Sequence, residues 1–237
     1  MFEPVKIAFS EELGRFYGGL SATTVPMHEF VNRGLDKSIA WCPTRMIDAA
    51  EDMLSAWRKH SNGEAVAKPI HLPVILVAMA KDTTPTDRMY TRNISQGQFV
   101  IIPDDVKERT FKLKTSSNDI RTQIAIFASD EPTARSIAAQ YQLFIDDMTN
   151  RHFMAYHHFA GLDLPFGVQI ETSDIPAMNI QTEAKNLTIL AIDVNLRCTI
   201  PLFESPKDNE PNDGKGTDGD INDPHGYLVV SSSVPNP

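Results

Sequence analysis

Apolar positions along this chain fall into two rhythms, one of three to four residues and one of two. Over residues 44–60, Ile47, Ala50, Leu54 and Trp57 recur at helical spacing and form one apolar stripe, while Glu51, Asp52, Arg58 and Lys59 take water-facing positions. Pro43-Thr44 supplies a start and Asn62-Gly63 a stop, so a helix is expected there. A second helix is expected over 130–150. Ser129 or Asp130 caps it, Pro132 fits its first turn, Glu131 favours its positive end, and Ala134, Ile137, Tyr141, Phe144, Ile145 and Met148 form the buried stripe.

The two-residue rhythm marks strands. Leu72 to Ala80 is short, continuous, apolar and partly β-branched, as a strand buried on both faces should be, with Pro73 at its start. Lys81 to Asn93 reads as a loop, Gln98 to Ile102 as a strand closed by Pro103. In Asp119 to Ala128, Ile120, Thr122, Ile124 and Ile126 share one face and Arg121, Gln123, Ala125 and Phe127 the other. His152 to Phe159 alternates, Leu162 to Pro165 reads as a turn, Phe166 to Glu171 as a short strand and Ser173 to Met178 as a loop. Asn186 to Ile200 is the longest expected strand, with Leu190, Ile192, Val194, Leu196 and Cys198 on one face and Pro201 at its end. Runs of strands beside two main helices, at about 44–60 and 130–150, predict an α+β fold.

The ends read differently. In residues 1–43 a short helix opening at Ser10-Glu11-Glu12-Leu13 is interrupted by Gly14, Gly18 and Gly19, which predicts an arm or a loose layer. From Glu204 to Pro237 the chain is rich in Pro, Gly, Asp, Asn and Ser, with seven acidic residues against Lys207 and Lys215. Such a stretch does not bury enough apolar area to fold alone. The partition expected is an arm at 1–43, an α+β domain at 44–203 and an acidic extension at 204–237. Tyr227, Leu228, Val229 and Val230 form an apolar, β-prone patch suited to adding a strand to another subunit's sheet edge.

Charge narrows the function classes. The 237 residues carry a formal net charge of -9, which makes the chain a poor general binder of DNA or RNA. The two cysteines, Cys42 and Cys198, are no disulfide framework and read as small buried side chains in a reducing compartment. No apolar run approaches the roughly 18 residues of a membrane span, and Met1-Phe2-Glu3-Pro4 opens no signal peptide. No membrane partner is expected, and the protein is expected in the cytoplasm or in a particle assembled there.

Little catalytic chemistry is visible. His152, His157, His158 and Asp163 are metal-ligating types, and a hydrolase using His152, His157 and Asp163 is one alternative. Yet His157 and His158 point to opposite faces of a strand, and the spacing fits no metal motif. Asp218-Gly-Asp220-Ile-Asn222-Asp223 resembles the start of a calcium loop but has Asp223 at the glycine position and Val229 at the closing acid. No nucleophile elbow, P-loop, dinucleotide fingerprint or C-x-x-C occurs. No catalytic residue, cofactor or metal is assigned. A cellular adaptor whose acidic tail docks a basic partner is a further alternative.

Two segments carry a family resemblance. Asp119-Ile-Arg-Thr-Gln-Ile-Ala-Ile-Phe-Ala-Ser-Asp-Glu-Pro-Thr-Ala-Arg is a strand leading into an acid-capped helix; Leu187-Thr-Ile-Leu-Ala-Ile-Asp-Val-Asn-Leu-Arg-Cys-Thr-Ile-Pro-Leu-Phe is a strand leaving into an extended proline segment. Over about residues 44–203 this order resembles the tail-terminator, tail-completion or neck proteins of tailed bacteriophages. The resemblance implies a mixed, mainly antiparallel sheet packed by helices, with extended arms. It also implies a non-enzymatic virion protein, assembled in the host cytoplasm, forming a homo-oligomeric ring, often a hexamer. Such a ring terminates the tail and joins it to the head, touching the tail tube or sheath and the neck proteins, with DNA at most passing through the lumen. Another tail, sheath or baseplate component is the nearest alternative. Arg121, Arg135 and Arg197, with Tyr227 to Val230, are the candidate subunit-interface residues, the arginines pairing with acids of a neighbouring copy.

Overall fold

The computed structural model describes residues 2–42, 72–86, 96–182, 186–208, 210, 212–217 and 220. The helix expected at 44–60 and the patch Tyr227 to Val230 lie outside the described residues. The fold is α+β: a large, mainly antiparallel sheet accompanied by helices. The helices are α1 (Glu3–Gly18), α2 (Val25–Asn32) and α3 (Glu131–Asp146). The strands are β1 (Ile39–Trp41), β2 (Val74–Met79), β3 (Thr84–Pro85), β4 (Gln98–Ile101), β5 (Thr110–Ala128), β6 (His152–Phe159), β7 (Leu162–Ile170), β8 (Ala177–Ile180) and β9 (Thr188–Glu204). Their hydrogen-bonded order is β1-β2-β5-β9-β7-β6, with β3 and β4 on β5 and β8 on β9. The chain separates into two compact units, and β5, β6, β7 and β9 thread both. The first comprises Met1–Pro85, Asn118–Ala155 and Gly167–Cys198; the second, Thr86–Ser117, Tyr156–Phe166 and Thr199–Pro237.

The first unit has an aliphatic heart. β2 is parallel to β1 and antiparallel to β5, with Ile75 opposite Ile126 and Val77 opposite Ile124. Val74 to Ala78 are buried on both faces, as their unbroken apolar run predicts. Along β9 the alternating set Leu190, Ile192, Val194, Leu196 and Cys198 is also buried, as expected. Burial pushes the Cys198 thiol up to about 12, and its Sγ donates to the Asn118 carbonyl. Cys42 is half-buried.

α1 differs from the sequence expectation. It is one helix of 16 residues, unbroken at Gly14, with Pro4 in its first turn. Val5, Phe9, Leu13 and Phe16 lie on one face and are buried, and each such burial stabilises by roughly 2 kcal/mol. That outweighs the roughly 1 kcal/mol a mid-helix glycine costs. Phe9 packs against Trp41 and Phe153, and Phe16 meets Tyr141 edge-on at 5.1 Å. This segment is core, not a loose cover.

α3 is capped as predicted: the Asp130 carboxylate accepts from Thr133 N at 2.8 Å, and Pro132 sits in the first turn. Its helix ends at Asp146, and a 3-10 turn (Met148–Arg151) leads into β6. Thr133, Ser136 and Gln140, on one face of α3, bond to the α1–α2 connection. Thr24 and Thr133 hydroxyls meet at 2.7 Å and those of Thr23 and Ser136 at 2.6 Å. Gln140 both accepts from Ser21 N and donates to Ser21 O, at 2.9 Å each.

The second unit has an aromatic heart. Phe111, fully buried, meets Phe159 edge-on at 5.0 Å. Phe159 stacks on Phe203 at 4.4 Å, and Phe203 meets Phe166 at 6.2 Å. Three expectations are corrected here. β5 starts at Thr110, because cross-strand bonds to β4 and β3 extend its polar first half. The turn before β7 is Ala160-Gly161, both at positive φ (54° and 83°), so Leu162 to Pro165 belong to the strand. Pro201 does not end β9, which continues to Glu204.

The acidic extension also departs from expectation at its start. Thr110 N donates to Asn212 O at 3.2 Å. Gly214, at φ +77°, passes so close to the 105–109 loop that a Cβ there would lie 2.8 Å from Arg109 Cγ. Arg109 grips Asp105 through Nε at 3.0 Å and Nη2 at 2.8 Å, which holds that carboxyl below the usual carboxylate range. The extension is thus anchored on its own unit for its first turns.

Candidate functional site

Each candidate interface arginine has an acid in its own chain. Arg121 Nη2 lies 2.6 Å from Asp193, and Arg135 Nη2 lies 2.6 Å from Glu131 one helical turn away. Arg197, only 15 % exposed, bridges Asp119 at 3.2 Å and Glu171 at 2.9 Å. It therefore ties β5, β9 and the end of β7 within the first unit. Arg121 and Arg197 stand on one face of the neighbouring strands β5 and β9, Arg135 stands on α3, and none needs a neighbouring copy's carboxylate to be paired.

The histidines do not converge. His152 Nδ1 bonds to the Met148 carbonyl, and His158 Nδ1 lies 2.9 Å from the exposed Asp163. His157 turns the other way, its ring edge-on to Phe166 at 5.6 Å, and burial lowers its pKa. Among the described residues no group of three His, Cys, Asp or Glu side chains is placed to hold a metal. The segment read against a calcium loop lies largely outside the described residues. Among the described residues no helix is long and apolar enough to cross a membrane.

A different constellation lies on the second unit. On β4, Phe99 and Ile101 point outward, Phe99 being 76 % exposed. Phe99 is opposite Lys112 and Ile101 opposite Thr110 on β5. Phe99, Thr110 and Lys112 line an open cleft of about 460 Å³ with Glu204, Lys207 and Glu210. Leu202, two residues before Glu204 on β9, is exposed on the same face. The Lys112 stem lies over Gly97, where a Cβ would come within 2.4 Å of its Cε. Phe203, between Leu202 and Glu204, turns to the other face and joins the phenylalanine cluster, so the end of β9 is apolar on both faces. The sequence held a signal for this: Gln98-Phe-Val-Ile-Ile is apolar without alternation, and Leu202-Phe203 doubles an apolar pair after Pro201. An unalternating run reads equally as a strand buried on both faces, which hid the exposed side.

A second polar feature is internal to the first unit. Glu12 is buried, its Oε2 accepting from Arg15 Nη1 at 2.7 Å, while its Oε1 and the Tyr141 hydroxyl have no hydrogen-bond partner among the described residues. Burial raises the Glu12 pKa against the opposing pull of Arg15. Burial, and then the charge of Glu12, push the Tyr141 phenol up.

Set against known protein families and against curated proteins, the chain matches none.

Proposed function

We propose that this chain is a structural virion protein, a subunit of a homo-oligomeric ring at the neck or head-proximal end of a bacteriophage tail, with no catalytic role. The observation that carries the reading is the disposition of the second unit's surface. Large apolar side chains stand in the open there, Phe99 at 76 % and Val106 at 93 %, and Ile101 and Leu202 are exposed too. Exposed apolar patches rimmed by polar groups mark contact surfaces. The α+β fold with a mainly antiparallel sheet agrees with what the resemblance implies. A ring closes through repeated contacts between copies, and a net charge of -9 lets DNA pass a lumen without adhering.

The test is the solution mass of the purified full-length protein beside a version ending at Asp220, which keeps the anchored part of the extension. A ring of defined order for the full chain, weakened by the truncation, supports the proposal and gives Tyr227 to Val230 their role. A monomer at every concentration overturns it.

A further inference from the structure

We infer that the outward face of β4, the start of β5 and the end of β9 is where a second copy of this chain docks, by the same face, about a two-fold axis. The inference rests on the reading of this chain as one that assembles with its own copies, and it names the surface. The centre of the face is apolar: Phe99, Ile101 and Leu202. Around the cleft beside them stand two lysines, Lys112 and Lys207, and two glutamates, Glu204 and Glu210.

The charges point to the occupant. Among the described residues Lys112, Lys207, Glu204 and Glu210 form no ion pair, unlike Arg121, Arg135 and Arg197. A basic partner would meet the two lysines and an acidic one the two glutamates, and like charges facing each other oppose docking. A copy of the same face offers two glutamates to the two lysines and two lysines to the two glutamates, and a half-rotation makes the two halves of such a contact equivalent. The chain as a whole carries -9, so two copies repel over most of their surface. This patch, with equal numbers of both signs and an apolar centre, is free of that penalty.

The experiment is the association of the full-length protein measured by sedimentation across a concentration series, with four variants. Phe99→Asp puts a charge at the apolar centre. Lys112→Glu and Glu204→Lys each leave three charges of one sign against one of the other, and the double reversal restores the balance. Phe99 and Glu204 are exposed, so melting temperature serves as the check that the variants fold. The expected result is a pair whose association weakens at least tenfold in Phe99→Asp and in each single reversal and recovers in the double variant. A pair with these properties but no ring supports this surface and overturns the ring. A ring that all four variants leave unchanged overturns this surface and leaves the ring standing. A monomer throughout overturns both.

Discussion

The two units solve the problem of excluding water with different side chains. In the first, β-branched and leucine residues fill β2, the second half of β5 and most of β9, and α1 and α3 add aromatic rings at the margin. In the second, four phenylalanines from β5, β6, β7 and β9 do most of the work within a short length of strand. Aliphatic cores gain from volume and tolerate exchange among similar shapes. Ring clusters add an angular preference to the same burial. Both units leave large apolar side chains outside, among them Val25 and Leu143 on helices of the first; in the second, Phe99, Ile101 and Leu202 stand on strands, so its sheet carries apolar side chains outside as well as in.

The sharpest way to break this comparison is to empty each core. Phe111→Ala should cost about 4 kcal/mol and Leu76→Ala about 3 kcal/mol, read from urea unfolding midpoints at unchanged slope. A loss under about 1 kcal/mol for Phe111→Ala would mean that the aromatic cluster is not the heart of its unit. The next pair tests shape. Phe159→Leu removes one stacked and one edge contact and should cost about 2 kcal/mol, whereas Ile126→Leu, which keeps its volume, should cost about 1 kcal/mol. Equal losses would erase the distinction drawn between the two cores.

Smaller effects separate the arginines. Arg197→Ala removes the guanidinium from both Asp119 and Glu171 and should cost about 1.5 kcal/mol, because the pair with Asp119 is mostly shielded from water. Arg121→Ala and Arg135→Ala, at pairs whose arginines are 56 % and 73 % exposed, should cost under about 0.5 kcal/mol each. A loss of assembly in either exposed variant without a loss of stability would restore those residues as contacts between copies.

The subtlest effect is a slope with pH. Glu12 has a raised pKa in the folded chain, so the fold holds a proton that the unfolded chain has released. That favours folding below the ordinary carboxylate range, and the advantage is lost as pH rises through the interval up to the folded value. Asp105 and Asp130, whose pKa values are lowered, contribute in the opposite sense, so the difference between wild type and Glu12→Gln isolates the group. The expected result is a variant that gains on wild type as pH rises from 4 to about 7, in thermal melts. A constant difference would show that Arg15 keeps Glu12 charged throughout.

Where the apolar period was unbroken, the sequence was enough. β2, α3 with its Asp130 cap, and the buried face of β9 follow from pattern and capping alone. The misses share a cause: residues that punctuate in isolation are overruled by contacts made far along the chain. Gly14 does not break α1, because the flanking Phe9, Leu13 and Phe16 are buried against partners more than 20 residues away, such as Trp41 and Tyr141. The polar stretch at the start of β5 is a strand because β4 and β3 pair with it. Pro165 and Pro201 both lie inside strands. The candidate site was legible only in part. The arginines were visible as charges, but their in-chain acids, 72 residues away for Arg121 and 78 for Arg197, were not. The outer face of β4 needed its neighbours on β5 and β9 to be seen at all.

The hydrogen-bond ladder between residues 21–24 and α3 has a consequence for length. Apolar contacts survive a small slide of one segment along another, since any methyl replaces any other. Paired hydroxyls and an amide do not, because a hydrogen bond holds only over a narrow range of distance and angle. Ser21, Thr23 and Thr24 meet Gln140, Ser136 and Thr133, spaced four and three residues apart along the helix. One residue inserted after Ser21 would unseat one end of the ladder or the other, at about 1 kcal/mol per bond lost. The connection between α1 and α2 therefore has the composition of a loop but accepts substitutions more readily than insertions.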